Sequence, residues 1–245
     1  LGKVTLNRIL AGRCVICLAD FPMKTIAYIR SDFPSKLAIP RQSGICRLLS
    51  AKVVFEPEYR NIDAFRGLEE YSHIWIIWKF SEAVRDEWSP TVRPPKLGGN
   101  TRMGVFATRS PFRPNPIGIS SVRLESIDLN TPNGPVLNIL GADIMDNTPV
   151  FDIKPYLAYT DSHPDALSGF ANLPQNNILK VRFDEKLKKL MPHKKAQALV
   201  SVLEQDPRPG YRSEDGRVFG FSFAGFEISF SVTGDILSVH TVTKI

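Results

Sequence analysis

From residue 23 onward the chain alternates apolar and polar positions over short stretches that glycine, proline, asparagine or serine repeatedly interrupt. Residues 26–30 alternate as a strand and 51–55 form a second short apolar one. HIWIIWKF, residues 73–80, is continuous, aromatic and β-branched, which predicts a strand buried on both faces with Trp75 and Trp78 in the core. His73 within it reads as a hydrogen-bonded core histidine in preference to a base. Further strands are expected over 103–107 (with 104–108 as its alternative bounds), 118–128 and 136–142, with a turn at 131–134. AIPRQSG, residues 38–44, is a loop because Pro40 cannot extend a sheet, and residues 61–68 form a helical turn capped by Asn61 or Asp63. Few helical patterns interrupt this half, which argues against parallel βαβ winding and for an antiparallel, barrel-like sheet.

The pattern then changes. Residues 161–177 loosen into Ser, Gly, Pro, Asp and Asn, the composition of a linker. Residues 184–190 and 193–203 carry helical spacing, split by Pro192. Three alternating stretches, 218–223, 226–232 and 236–242, with turns at 224–225 and 233–235, predict a meander. The expected fold is therefore mainly β: a barrel-like domain over 23–165 and a small α+β domain over 166–245.

Charge singles out one region. Of a formal net charge of +6, five positive charges arise between Arg85 and Arg123, where seven Arg or Lys face two acids. The stretch from Arg93 to Ser121 is also dense in glycine and proline, so its cations sit on stiff loops. Planar guanidinium groups held this way suit phosphates or a carboxylate-bearing ligand, whereas a solvated basic surface would not need the stiffening. Cys14, Cys17 and Cys46 make no disulfide framework, and the lone CVIC has no second pair to complete a zinc site, so no metal is expected. The apolar run over 9–19 is broken by Arg13 and falls short of the roughly 20 residues of a membrane span. A cytoplasmic protein is the expectation.

FRGLEEYSHIWI (65–76), TVRPPKLGGNTRMGVFATRSPFRPNPIG (91–118), DNTPVFDIKPY (146–156) and DPRPGYR (206–212) occur in an order that closely resembles the TrmO, or TsaA-like, family. The resemblance runs from about residue 24 to the end of the sequence and makes Leu1 to Pro22 an upstream extension, native or left by cloning. It implies a β-barrel methyltransferase outside the Rossmann class, in keeping with the lack of a GxGxxG after any expected strand. It also implies S-adenosylmethionine as methyl donor, tRNA as partner and a homodimer. The acceptor would be the exocyclic amine of threonylcarbamoyladenosine beside the anticodon of threonine tRNA. Another RNA, a small-molecule acceptor or a non-catalytic RNA-binding barrel stand as alternatives.

Carried over position by position, the donor site would comprise Pro40, Arg41 and Gln42; Phe80, Ser81 and Glu82, where many relatives have Phe-His-Gln; Arg109; Ile119; and Gly141, Ala142, Asp143 and Ile144. Arg109 could hold the donor's carboxylate. For RNA the candidates are Arg93, Lys96, Arg102, Arg113, Asn115, Arg208 and Tyr211. A proton must leave the acceptor nitrogen, and Asp143, Asp146, Tyr156 or the substrate's own carboxylate could receive it. For Asp146 and Asp152 a structural role, closing a turn or pairing with Lys154, is weighed equally.

Overall fold

The computed structural model describes residues 22–82, 87–172, 178–208 and 215–245. The first strands are β1 (Ala27–Arg30), β2 (Ser50–Phe55) and β3 (His73–Lys79). A two-stranded ribbon, β4 (Thr91–Val92) with β5 (Met103–Gly104), precedes β6 (Ile117–Thr131), β7 (Gly134–Leu140) and β8 (Pro149–Pro155). Outside the ribbon these strands close into an antiparallel barrel in the order β1-β2-β7-β6-β3-β8. Closure leaves no barrel strand with an unpaired edge. Period-two alternation turns Ala27, Ile29, Val53, Ile74, Ile76, Val122, Leu137, Ile139 and Val150 inward, each at most 1% exposed. Each large aliphatic side chain so buried contributes about 1.5–3 kcal/mol.

Asn61 caps the expected turn, its side chain accepting from Asp63 N–H at 3.0 Å. Two local expectations change. Residues 103–107 are not one strand: β5 stops at Gly104, and Val105–Ala107 form a 3-10 turn. Val105 is buried there, its N–H on the Pro90 carbonyl and its own carbonyl taking the Thr108 N–H, a pairing that a five-residue apolar run cannot reveal. β3 is fully buried on one face only; on the other, Trp75 is half-buried and donates to Asp161 Oδ2 at 2.8 Å. His73 lies exposed at the start of β3, 2.9 Å from Ser72 Oγ, and so does not belong to the core.

A short helix, α1 (Ala158–Asp161), ends where the expected linker begins, and the linker itself carries a 3-10 turn over Gly169–Asn172. Beyond it come β9 (Lys180–Arg182), α2 (Glu185–Lys188), α3 (His193–Leu203), β10 (Val218–Phe223), β11 (Phe226–Thr233) and β12 (Ile236–Lys244). The meander pairs as expected, and β9, too short to show a period, joins it parallel to β12. Leu199, Val202 and Leu203 of α3 share one core with Phe221, Phe223, Ile228 and Phe230.

That second core also takes Phe33, Ala38, Cys46 and Leu49 from the segment joining β1 to β2. Phe33 meets Phe223 edge-on at 5.3 Å, and the Cys46 thiol donates to the Ser201 carbonyl at 3.2 Å. Lys195 of α3 donates to both carboxylate oxygens of Asp32, at 2.8 and 2.6 Å, and to Ser50 Oγ at 2.9 Å. The C-terminal sheet and α3 thus brace the loop that holds Pro40, Arg41 and Gln42.

Candidate functional site

The braced loop is also stitched to the barrel. Gly44 N–H donates to the Gly141 carbonyl at 2.9 Å, and Gly141 N–H to the Leu49 carbonyl at 2.8 Å. Gly141 has φ +78°, and a Cβ there would stand 3.3 Å from Gly44 Cα, so both backbone conformation and close approach require glycine. Its neighbours Ala142 and Ile144 are buried, which turns the intervening Asp143 toward the loop.

A hydrogen-bonded chain leads from the barrel interior to that carboxyl. Trp78 Nε1–H donates to Ser120 Oγ at 3.0 Å, and the Ser120 hydroxyl donates to Asp143 Oδ1 at 2.6 Å. The Trp78 indole occupies the space over Gly118, where an added Cβ would lie 2.3 Å from the ring. Phe80, whose N–H is held by the Pro116 carbonyl, packs on Trp78 with ring centroids 4.3 Å apart. Burial pushes the Asp143 carboxyl above its ordinary value, against the opposing pull of the Ser120 hydroxyl, the backbone N–H groups of Asp143 and Ser43, and the Arg109 charge. Arg109 in turn donates from Nη1 to Gln42 Oε1.

Gln42, Ser43, Arg109, Ser120 and Asp143 therefore meet, drawn from four separate segments of the chain. A guanidinium fixed by an amide suits a carboxylate, a half-buried carboxyl suits an ammonium or sugar hydroxyls, and the half-buried Phe80, backed by Trp78, offers aromatic surface. Pro40 is buried beneath this loop, while Arg41, Ser81 and Glu82 are exposed. Ile119 is 53% exposed and points away from its neighbours Gly118 and Ser120, which face inward. Ser120 and Ser43 were not singled out from sequence; a serine at an inward position of β6 was the available signal for the former.

The other carboxyl and phenol candidates stand elsewhere. Asp146 accepts from Ser31 N–H at 2.9 Å, with Arg30 Nη1 4.0 Å from its other oxygen. Tyr156 sits across from His73 at the opposite end of β3 from Phe80, packed on Trp75 at 5.5 Å. Asp152 pairs with Lys154 at 2.8 Å.

Among the RNA candidates, Arg93, Arg102 and Asn115 are exposed. Lys96 Nζ donates to the Ala171 carbonyl at 2.5 Å. Arg113 donates to the carbonyls of Val105 and Thr108, at 3.2 and 2.7 Å, so it fastens its own loop. Arg208 makes a two-pronged pair with Asp206, both contacts 2.8 Å. Tyr211 lies outside the described residues. Among the described residues no group of three or more His, Cys, Asp or Glu side chains could hold a metal ion, and no helix is long and apolar enough to cross a membrane.

Comparison with known proteins gives a consistent result over almost the whole chain. The N-terminal domain of tRNA-methyltransferase O matches residues 28–162, and the TrmO C-terminal domain matches residues 176–245. The tRNA (adenine(37)-N6)-methyltransferase of Escherichia coli strain K12 is 40% identical over 224 residues, 88% of this chain and 95% of that protein. The protein of that name from Eikenella corrodens is 41% identical over 175 residues, 71% of this chain and 98% of its own. The crystal structure of TrmO from Pseudomonas aeruginosa superposes with a TM-score of 0.75 at 33% identity, covering 94% of this chain and all of that one. The chain belongs to the TrmO family.

Proposed function

We propose that this protein transfers a methyl group from S-adenosylmethionine to the exocyclic N6 of adenosine 37 of tRNA, and that this adenosine is the threonylcarbamoylated one of threonine tRNA. The observation that carries the reading is the meeting of Gln42, Arg109 and Asp143 at one place in a chain whose relatives are named tRNA (adenine(37)-N6)-methyltransferase. S-adenosylmethionine supplies an electrophilic methyl on a sulfonium and also carries a carboxylate, an ammonium and a ribose. Arg109, steadied by Gln42, is suited to the carboxylate, and the residues around Gly141 to the ribose end.

Threonylcarbamoylation adds a carboxylate to an RNA loop, so recognition needs cations for phosphates and for the threonine end alike. Exposed Arg93 and Arg102 supply them. The acceptor nitrogen is acylated and weakly nucleophilic, so positioning carries most of the rate and the proton must leave as the methyl arrives. Support among the proton acceptors favours Asp143: its carboxyl is half-buried beside Arg109 and made more basic by desolvation, whereas Asp146 is engaged by Ser31 and Tyr156 by the His73–Trp75 face. The family resemblance carries a cytoplasmic homodimer with it, and Ile117 and Ile119, exposed on the outside of β6, offer apolar area that pairing would cover.

The test is methyl transfer from labelled donor to threonine tRNA with and without the threonylcarbamoyl group, read by mass spectrometry of the nucleosides. Product on the modified tRNA alone is expected. Equal transfer to both would remove the threonylcarbamoyl specificity, and no transfer to either would remove the tRNA activity.

A further inference from the structure

Two large aromatic rings stand out on the basic loops, and nothing in the methyl-transfer site uses them. Trp88 is 51% and Phe106 73% exposed, yet their rings stack with centroids 6.3 Å apart and planes inclined by 29°. The ribbon explains how they meet. Thr91 pairs with Gly104, and Val105 N–H reaches the Pro90 carbonyl at 2.9 Å, which sets the chain before β4 beside the chain after β5. Phe106 is then fixed by its neighbours: Val105 is buried, and Arg113 ties the Val105 and Thr108 carbonyls while its guanidinium carbon lies 5.8 Å from the Phe106 ring centre.

An exposed pair of rings on a fixed loop presents apolar area at little entropic cost, and its surroundings decide what it fits. Exposed Arg93 and Arg102 lie on the same ribbon and the loop it spans, within the stretch that holds five of the six net positive charges. An apolar protein partner has no need of that charge, and a phosphate backbone alone has no need of the rings. Unpaired nucleotides need both, since each offers a π-face and an anion.

We propose that Trp88 and Phe106 form a stacking platform for an unpaired base of an RNA loop, with Arg113 bracing Phe106 and Arg93 and Arg102 serving the neighbouring phosphates. The inference rests on the tRNA reading and adds to it a base-contacting surface distinct from the methyl-donor residues.

The test uses the full chain and two end-labelled RNAs, an anticodon stem–loop with adenosine at position 37 and the same stem closed as a blunt duplex. Trp88→Ala and Phe106→Ala are each expected to weaken stem–loop binding about fivefold or more, as loss of base stacking does, while Trp88→Phe and Phe106→Tyr stay within about twofold of the parent. Duplex binding and calorimetric binding of S-adenosylmethionine should not change. Alanine variants that bind the stem–loop like the parent overturn the platform, as does an equal loss on stem–loop and duplex. A change in sedimentation with unaltered stem–loop affinity overturns it in favour of self-association. A parent protein that binds neither the stem–loop nor whole tRNA sinks the tRNA reading itself, and the platform with it.

Discussion

The Ser120 hydroxyl donates to Asp143 Oδ1 over 2.6 Å while its oxygen accepts the Trp78 indole N–H at 3.0 Å. One small side chain thus couples the barrel interior to the carboxyl at the candidate site. Because this hydrogen bond lowers the Asp143 pKa against the larger effect of burial, Ser120→Ala should raise it further. The acid limb of the methylation rate against pH should move to higher pH. An unmoved limb would remove Asp143 as proton acceptor.

Asp143 also links stability to pH. Its folded carboxyl titrates above the ordinary value near 3.8, so the native state binds the proton more tightly than the unfolded chain does. The stabilisation from that proton is complete below the ordinary value and is lost as pH rises through the raised one. Asp143→Asn should therefore melt above the parent at neutral pH, and the difference should vanish near pH 3.8 and below. Melting curves across this range decide it.

Arg109→Ala should weaken S-adenosylmethionine binding by about tenfold, the loss of one hydrogen bond to a charged group. Gln42→Ala should weaken it less, since Gln42 acts by steadying the guanidinium. Calorimetry measures both, and unchanged affinity in Arg109→Ala would take Arg109 out of the donor site.

Gly141→Ala should cost about 1–2 kcal/mol for the left-handed backbone alone. The crowding against Gly44, with Cβ 3.3 Å from its Cα, should in addition displace the loop bearing Gln42 and lower donor affinity. Denaturant titration and calorimetry on the same variant separate the two effects.

The Asp32 side chain is 13% exposed and its partner Lys195 29%, so Lys195→Met leaves a mostly buried carboxylate unpaired. The expected cost is about 2–3 kcal/mol, and adding Asp32→Asn should recover part of it. A full double-mutant cycle by denaturant titration checks this, and a coupling energy near zero would show that the pair does not brace the loop.

Strand positions were largely legible because barrel strands and a meander alternate with period two, and the β6–β7 turn and both meander turns stand where glycine and asparagine placed them. Residues 103–107 misled because so short an apolar run is shared by a strand and a 3-10 turn that buries one side chain. β9 escaped because three residues show no period and its partner β12 lies more than fifty residues on.

The linear chain by itself determined the strand-rich fold, the concentration of arginines on glycine- and proline-stiffened loops, and the four motifs that mark the family, since each is a local matter of residue type and spacing. Only the tertiary structure decided that Arg109 meets Gln42, that Ser120 joins Trp78 to Asp143, that Arg113 and Arg208 are engaged within the chain, and that α3 braces the loop after β1. The Arg109, Ser120, Trp78 and α3 pairings span long separations and depend on how the barrel closes and which face of each strand turns inward, which no local pattern encodes, whereas those of Arg113 and Arg208 are set by the conformation of their own loops.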